Sequence, residues 1–279
     1  FQAEDGIRDR LRSRGLGDAY KRQLFISPLA IIVINSLKTF QEILLQPAQL
    51  PEKLQWGNYV EVYHTTNLPV VFLNTVVIIV ASVAGVIVTA SMIGYILSRT
   101  RTWLSGALLV LILLSMMVPF QTIMIPIVRV TQIFGMRDKA FALIPIYIGM
   151  SGAMAVLLYH GFVKEIPVEL EESARMDGCC GMNLYWRIVF PLLKPVTTTV
   201  TVLYVLQFWN DITLPLVLLT HKDNTTIALS QLIFYRELVS SRWNLLLAAG
   251  VISSIPILLF YLLMQKRIMA GVMEGAVKG

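Results

Sequence analysis

The stretch that decides the fold is polar, although it lies in an otherwise apolar chain. It reads Pro167-Val-Glu-Leu-Glu-Glu-Ser-Ala-Arg-Met-Asp-Gly178, followed by Ile188-Val-Phe-Pro191 and Lys194-Pro195. Long apolar runs flank it on both sides, and a bilayer core of about 30 Å is crossed by roughly 20 apolar residues in a helix. The pattern predicts a stiff, acidic loop between two membrane spans, at a position where a soluble partner can bind it.

The composition of the whole chain is that of a membrane protein. Of its 279 residues, 56% are hydrophobic and 14% are charged, whereas a soluble domain carries about 25% charged residues. The formal net charge of +6 contains no long basic run, so we assign it to residues flanking the spans rather than to nucleic-acid binding. These basic residues divide evenly between the two sides of the predicted spans, so the positive-inside rule does not set the orientation.

The apolar segments predict an all-α fold, a polytopic membrane helix bundle with six transmembrane helices. The first is truncated to residues 24–34, and five fuller spans follow at 70–98, 103–128, 140–161, 196–219 and 245–264. Pro119 and Pro126 predict a kink in the third span. Closely packed helices are predicted by small residues at four-residue spacing in the second span, namely Ala81, Gly85 and Thr89, with Ala90 and Gly94 beside them.

Residues 1–23 do not match the rest of the chain. They alternate in charge and have no apolar period. They resemble translated sequencing-adapter sequence, so we exclude them from fold reasoning as an artefactual leader. The alternative is a genuine disordered tail. In either case residues 24–279 form the predicted transmembrane domain.

The acidic segment predicts a short helix with defined ends. Pro167 suits the first helical position, where a missing N–H costs nothing. Gly178 suits the left-handed position just after a helix. Between them, the positive end of the helix dipole favours the anions of the first turns, which are Glu169, Glu171 and Glu172.

A second short helix is expected at about residues 182–189. Pro191 and Pro195 are expected to break the chain before the next span. Two short helices with acidic and apolar faces form a knob that fits a groove on a partner. A plain interfacial amphipathic loop is the alternative.

The sequence contains none of the common catalytic motifs. It has no GxxxxGK[ST] loop for nucleotide phosphates, no HExxH and no GxSxG. His64, His160 and His221 lie far apart, and His160 is expected to cap or snorkel at the end of its span. Charges are almost absent from the predicted spans, which disfavours a proton- or sodium-coupled carrier. We therefore expect no catalytic residue, no metal site and no cofactor.

One polar cluster interrupts the fifth span. At a rise of 1.5 Å per residue, Asp211 lies about 22 Å from the start of that span, beyond the midplane. Polar groups at such depth face the bundle interior or a water-filled path. Two interpretations stay open, a solute path or an interhelical hydrogen-bond cluster; the residues concerned are Gln207, Trp209, Asn210 and Asp211.

The acidic segment resembles the EAA coupling loop of ABC importer permeases, through Glu172-Ser-Ala, Asp177-Gly178 and Ile188-Val-Phe-Pro191. The departures are Ser173 for the second-position alanine, Cys179 for the alanine after glycine, and Phe190 for the leucine before proline. Other segments resemble the sugar-importer branch, in particular permeases of the maltose type: an outer loop at 38–59, parts of the third and fifth spans at 119–126 and 208–215, and the tail at 275–279. The resemblance covers residues 24–279.

The resemblance implies roles for individual residues. The coupling loop at residues 167–195 would contact an ATPase through Glu169, Glu171, Glu172, Ser173, Ala174, Asp177, Gly178, Ile188 and Pro191. The C-terminal tail would make a second ATPase contact through Val277, Lys278 and Gly279. Both would lie in the cytoplasm, and residues 220–242 would lie outside.

The resemblance also implies partners and location. The chain would lie in a bacterial inner membrane and pair with a second permease subunit as a heterodimer. Two copies of a cytoplasmic ATPase subunit would bind this pair. An extracytoplasmic solute-binding protein would deliver the sugar. ATP hydrolysis would belong to the ATPase, and membrane lipid would surround the chain. An ABC permease for an amino acid, peptide or polyol is the alternative function, and a membrane-embedded enzyme is a weaker one.

Overall fold

The computed structural model describes residues 26–236 and 242–276, and all regular structure in that part of the chain is helical. The all-α fold class is thereby confirmed. The helices are α1 (Ile26–Ser36), α2 (Phe40–Leu45), α3 (Gly57–Thr65), α4 (Leu68–Arg99), α5 (Trp103–Ser115), α6 (Phe120–Ile133), α7 (Leu143–Glu165), α8 (Val168–Met176), α9 (Gly181–Leu184), α10 (Phe190–Leu192), α11 (Lys194–Trp209), α12 (Thr213–Leu218), α13 (Ile227–Arg236) and α14 (Trp243–Ala276). The leader at 1–23 lies outside the described residues.

The chain divides into two compact units. One unit comprises the residues up to Thr66 together with Gln231–Ile255, and the other comprises Asn67–Ser230 together with the residues from Pro256 onward.

In the first unit, polar side chains hold the segment between α1 and α3. Lys38 is 1% exposed, and its ammonium donates to the carbonyls of Gln46 (2.8 Å) and Pro47 (3.3 Å). A capping box joins Thr39 and Glu42 at the start of α2, and the Thr39 N–H holds the pKa of the Glu42 carboxyl below its usual value. These bonds satisfy the buried polar groups of a short, irregular segment.

The second unit is organised around α4 and α7. The two helices pack along their lengths, and their buried residues form about half of the hydrophobic core of this unit. At Gly94, an added Cβ would stand 2.8 Å from the Cβ of Tyr159 and 2.9 Å from the backbone nitrogen of His160. At Gly85, it would overlap the flexible end of Ile148. The predicted close packing at small residues is confirmed at these two glycines.

Most predicted spans are present as helices. Within the described residues, α4, residues 140–165 and residues 243–265 can each cross a membrane by length and composition, and two bent helix pairs raise the possible number to five. The short apolar helix α1 corresponds to the truncated first span.

The third span is broken as well as kinked. Its halves, α5 and α6, meet at 97°. Pro119 is the N-cap residue of α6, whereas Pro126 lies inside that helix. The predicted bend therefore occurs, and it is centred on residues 116–119 because Pro119 cannot continue α5.

The prediction of a continuous fifth span at 196–219 is wrong. α11 ends at Trp209, and a separate helix, α12, covers Thr213–Leu218. At its other end α11 is bent by 75° from the helical segment that precedes it.

The packing of α4 against α7 generates a stability prediction. Gly94→Ala is expected to destabilise the protein by about 1–3 kcal/mol, because the new methyl group meets backbone that cannot move aside. The change should appear as a lower melting temperature of the detergent-solubilised protein.

The matched control for this change is Gly161→Ala in α7, where an added Cβ meets nothing within 4 Å. That variant is expected to keep or slightly raise the melting temperature, because alanine favours a helix interior over glycine. Equal melting temperatures for the two variants would contradict the packing argument.

Candidate functional site

The first helix of the 167–195 loop is α8, and its ends are specified by local sequence. Pro167 is its N-cap residue, one position earlier than predicted. Asp177 is the C-cap, and Gly178 follows with φ of +86°. The Gly178 N–H donates to the Arg175 carbonyl (3.0 Å) and the Cys179 N–H to the Ala174 carbonyl (2.9 Å). This is the Schellman arrangement, so the predicted left-handed glycine is confirmed.

The second helix of the loop is longer and less regular than predicted. α9, a π-helical turn at Tyr185–Val189, and α10 follow one another from Gly181 to Leu192. Pro191 lies inside this helical run, so the prediction that it breaks the chain is wrong. The π turn immediately before it widens the helix, which relieves the clash of a proline ring with the carbonyl four residues earlier. The break comes at Leu193, and α11 begins at Lys194 with Pro195 in its first turn.

The carboxylate of Glu171 is the most constrained polar group of the loop. Its side chain is 1% exposed. One carboxylate oxygen accepts from Arg99 Nε (2.7 Å), and the other accepts from the Tyr95 hydroxyl (2.8 Å). Arg99 also donates through Nη2 to the Ile166 carbonyl (2.9 Å). Through these bonds, Tyr95 and Arg99 at the end of α4 hold both the Ile166 carbonyl, just after α7, and the Glu171 carboxylate of α8.

This ion pair differs from a surface salt bridge in its consequences. A buried pair adds little net stability, but removing one partner leaves a desolvated charge and costs about 3–5 kcal/mol. The Arg99 side chain is 18% exposed and can reach water, so loss of Glu171 belongs at or below the lower end of that range, whereas loss of Arg99 leaves the buried Glu171 carboxylate unpaired. Arg175, one helical turn after Glu171, adds a longer contact of 3.9 Å. The pair therefore fixes the position of α8 relative to α4.

A second anchor holds the other helix of the loop. The Tyr185 hydroxyl donates to Ser91 Oγ of α4 at 2.6 Å, and both groups are buried. The Tyr185 ring also contacts the rings of Tyr95 (5.4 Å between centroids) and Trp186 (5.1 Å). Both helices of the loop are thus tied to the last third of α4.

The structure divides the predicted coupling residues into two groups. Glu171 and Ala174 face inward on α8, and Ile188 is half-buried. The others are exposed, namely Glu169, Glu172, Ser173, Asp177, Gly178 and Pro191. Sequence reasoning missed the anchors Tyr95 and Arg99, and it also missed Met176 and Met182, which are 89% and 55% exposed beside the acidic residues.

The polar cluster of the fifth span lies at a break between helices. The Tyr147 hydroxyl donates to one oxygen of Asp211 (2.8 Å), and the backbone N–H of Thr213 donates to the other (2.9 Å). Trp209 is buried and packs edge-on against Phe72 at 6.5 Å. For these two residues the geometry favours the interhelical hydrogen-bond cluster.

The remaining two residues of that cluster, Gln207 and Asn210, are exposed on the isolated chain. Their side chains can therefore contact a molecule outside this chain.

Other predicted features give no second site. Val277, Lys278 and Gly279 lie outside the described residues. Among the residues that are described, no group of three or more His, Cys, Asp or Glu side chains could hold a metal ion.

Comparison with known proteins identifies the family. Residues 87–273 match the family described as binding-protein-dependent transport system inner membrane component. The probable starch degradation products transport system permease protein of Thermoanaerobacterium thermosulfurigenes is 34% identical over 255 residues, which cover 91% of this chain and 92% of that protein. The melibiose/raffinose/stachyose import permease protein of Bacillus subtilis is 32% identical over 230 residues, covering 82% and 83%.

A solved structure agrees in fold. A bacterial ABC transporter involved in the import of the acidic polysaccharide alginate has a chain that superposes with a TM-score of 0.75. The two are 23% identical, and the match covers 91% of this chain and 96% of the other. The family match extends over more than half of the sequence and includes the whole 167–195 loop. This chain therefore belongs to the family of binding-protein-dependent transport system inner membrane components, and is a multi-pass permease.

Proposed function

We propose that this chain is a permease subunit of an ATP-driven sugar importer. Its relatives at 34% and 32% identity bear the names of permeases for starch degradation products and for melibiose, raffinose and stachyose. A further relative, from Streptococcus mutans, is named a multiple sugar-binding transport system permease protein and is 32% identical. Three sugar-related names at this level of similarity support an oligosaccharide as the substrate class.

The proposed assembly contains this chain and three kinds of protein partner. This chain pairs with a second permease, two copies of a separate ATPase subunit bind the pair, and an extracytoplasmic solute-binding protein delivers the sugar. The 167–195 loop and the C-terminal residues Val277, Lys278 and Gly279 face the cytoplasm and contact the ATPase. A bacterial alginate ABC transporter of similar fold has been crystallised in complex with an alginate pentasaccharide-bound periplasmic protein, which supports the proposed solute-binding partner.

One observation carries the proposed mechanism: the loop presents an exposed acidic surface while its buried side is joined to a membrane span. Glu172 and Asp177 are exposed, whereas Glu171 is bonded to Arg99 and Tyr95 of α4. ATP-driven closure of the ATPase subunits moves the loop. Because α8 is held to α4 by a desolvated ion pair, that displacement is passed to the span, and the bundle changes from inward- to outward-facing.

The docking surface is tested by two variants of the loop. Gly178→Pro places a residue with φ near −65° where φ is +86° and removes the N–H that closes α8. Glu172→Lys reverses a charge on the exposed face. Both are expected to reduce sugar uptake at least tenfold, measured with labelled oligosaccharide in cells, and to weaken co-purification of the ATPase.

The control for Glu172→Lys is Glu52→Lys, which makes the same charge change at an exposed position outside the loop. It is expected to leave both ATPase co-purification and uptake at the wild-type level. Normal uptake with Gly178→Pro and Glu172→Lys, and an undiminished ATPase yield, would refute the docking role.

The two neighbouring glutamates allow the anchor to be separated from the docking surface. Glu171→Gln is expected to lower the free energy of unfolding by about 2 kcal/mol, because Arg99 loses its charged partner. Glu172→Gln, at an exposed position, is expected to change it by less than about 0.5 kcal/mol. Thermal unfolding of the purified transporter measures both.

A double variant, Arg99→Gln with Glu171→Gln, completes the cycle. If the two residues interact as the structure indicates, the double variant is destabilised by less than the sum of the single variants. Strict additivity would show that the pair is not coupled.

We also propose that Gln207, Trp209, Asn210 and Asp211 border the sugar path, with direct contact confined to the exposed pair Gln207 and Asn210. Amide groups suit sugar hydroxyls as donors and acceptors. Asn210→Ala is expected to raise the half-saturating sugar concentration severalfold while ATPase co-purification stays intact. Unchanged uptake by this variant would make Asn210 structural.

The substrate class is tested by competition in the wild-type transporter. Unlabelled oligosaccharides should compete with uptake of the labelled sugar, and amino acids should not. Competition by amino acids would overturn the sugar assignment.

A further inference from the structure

A cavity of about 510 Å³ opens at the ends of α4 and α7, next to the 167–195 loop. Its walls are the last residues of α4, the turn into α5, the first two turns of α5, the end of α7 and Val168 at the start of α8. Both α4 and α7 are apolar candidate spans, ending at Arg99 and Glu165. The cavity therefore lies where membrane helices give way to polar chain, which is the level of lipid headgroups.

The lining of this cavity is cationic. Arg101 and Lys164 are exposed at its walls, and neither forms an ion pair with any described residue. Arg99 also lines it, although Glu171 offsets much of that charge. No aspartate or glutamate belongs to the lining. A net positive charge in a concave, partly desolvated site attracts anions more strongly than the same charges on a flat surface.

Neutral hydrogen-bonding groups complete the lining. Hydroxyl side chains come from Ser98, Thr100, Thr102 and Ser105. The α5 helix begins at the cavity, so the positive end of its dipole adds to the cationic field.

A buried histidine also reaches this space. The His160 residue is 8% exposed and belongs to the cavity lining. Its imidazole adds a further hydrogen-bonding group to the wall of the cavity.

An apolar surface runs away from the cavity along α5. Leu97 and Leu109 contribute to the lining. On the side of α5 that continues from Gly106 of the lining, Val110 and Leu114 are exposed on the isolated chain. Trp103, at the start of the helix, is 84% exposed, and tryptophan is enriched at membrane–water interfaces. An anionic group with attached hydrocarbon chains matches both the cationic lining and the apolar surface.

We propose that this cavity binds the phosphate headgroup of an anionic membrane lipid, with the acyl chains lying along α5. Basic pockets between membrane helices bind such headgroups. Inorganic phosphate presents the same anionic group, but it has no hydrocarbon chains that could contact the apolar surface of α5. Arg99 lines the cavity and also holds Glu171, so a bound headgroup acts on the guanidinium that anchors the 167–195 loop. The lipid would thereby influence how firmly the loop is held.

The test uses the whole assembled transporter in detergent and a fluorescent short-chain phosphatidylglycerol as the probe. The double variant Arg101→Gln with Lys164→Gln is expected to bind this lipid about tenfold more weakly than the wild type, since each basic residue near an anionic headgroup strengthens binding severalfold. Fluorescent phosphatidylcholine should bind weakly and equally to both proteins.

The matched control is Arg129→Gln with Lys139→Gln, which removes the same charge at two exposed residues outside the cavity. It is expected to retain wild-type affinity for phosphatidylglycerol. Equal losses in the two double variants would show diffuse attraction to the whole chain and would overturn the proposal, as would no loss in either.

Competition with inorganic phosphate separates the two sources of the anion. Displacement of phosphatidylglycerol should require a far higher concentration of phosphate than of unlabelled phosphatidylglycerol. Equal potency would assign the cavity to a free ion and overturn the lipid. Should the double variant fail to assemble, Arg101→Gln and Lys164→Gln are measured singly, each with an expected loss of a few-fold. No loss in either would count against the proposal.

Discussion

The ion pair between Glu171 and Arg99 is the interaction on which the 167–195 loop depends. α8 has only nine residues, and an isolated helix of that length is marginal in water. Its local signals, the acidic first turn and the glycine stop, set where it begins and ends but not where it lies. The desolvated carboxylate sets its position, because it has strong partners only beside the end of α4. A small displacement of α8 from α4 would break the ion pair before water could reach the carboxylate, and this cost makes the joint stiff.

The Glu171–Arg99 pair shows which features of the loop could be predicted from the sequence and which could not. Capping and backbone signals act within a few residues, so the left-handed Gly178 and the exposed acidic residues followed from local rules. Glu171 looked equivalent to Glu169 and Glu172, because all three lie in the first turns of one helix. Its inward direction depends on Arg99, 72 positions away, and on Ala174 sharing its face. A long-range partner of this kind leaves no periodic pattern in a nine-residue segment.

The errors in the fifth span and in the second helix of the loop have local causes. Asp211, one residue before the N-cap Ile212, accepts the N–H groups of Thr213 and Leu214 and so stabilises the first turn of α12. Asp211 followed by Pro215 is a pattern typical of a new helix start. The apolar residues around it nevertheless led to the prediction of one unbroken span. Pro191 was taken as a break, because proline opposes a regular α-helix. A single π turn accommodates it instead, and nothing in its immediate sequence marks that turn.

The exposed side of the loop combines two kinds of contact that suit a moving joint. In the proposed importer, the ATPase subunits must remain attached to the loop while the transporter changes conformation. In the proposed docking, charges at Glu169, Glu172 and Asp177 would select the partner and its approach, because electrostatic complementarity acts over a distance. Met176 and Met182 add flexible apolar area, which can adjust to a partner surface whose shape changes. Stiffness is therefore needed only on the buried side, where Glu171 and Tyr185 join the loop to α4. A loop that is rigid toward its own span and adaptable toward its partner transmits displacement without fixing a single docked geometry.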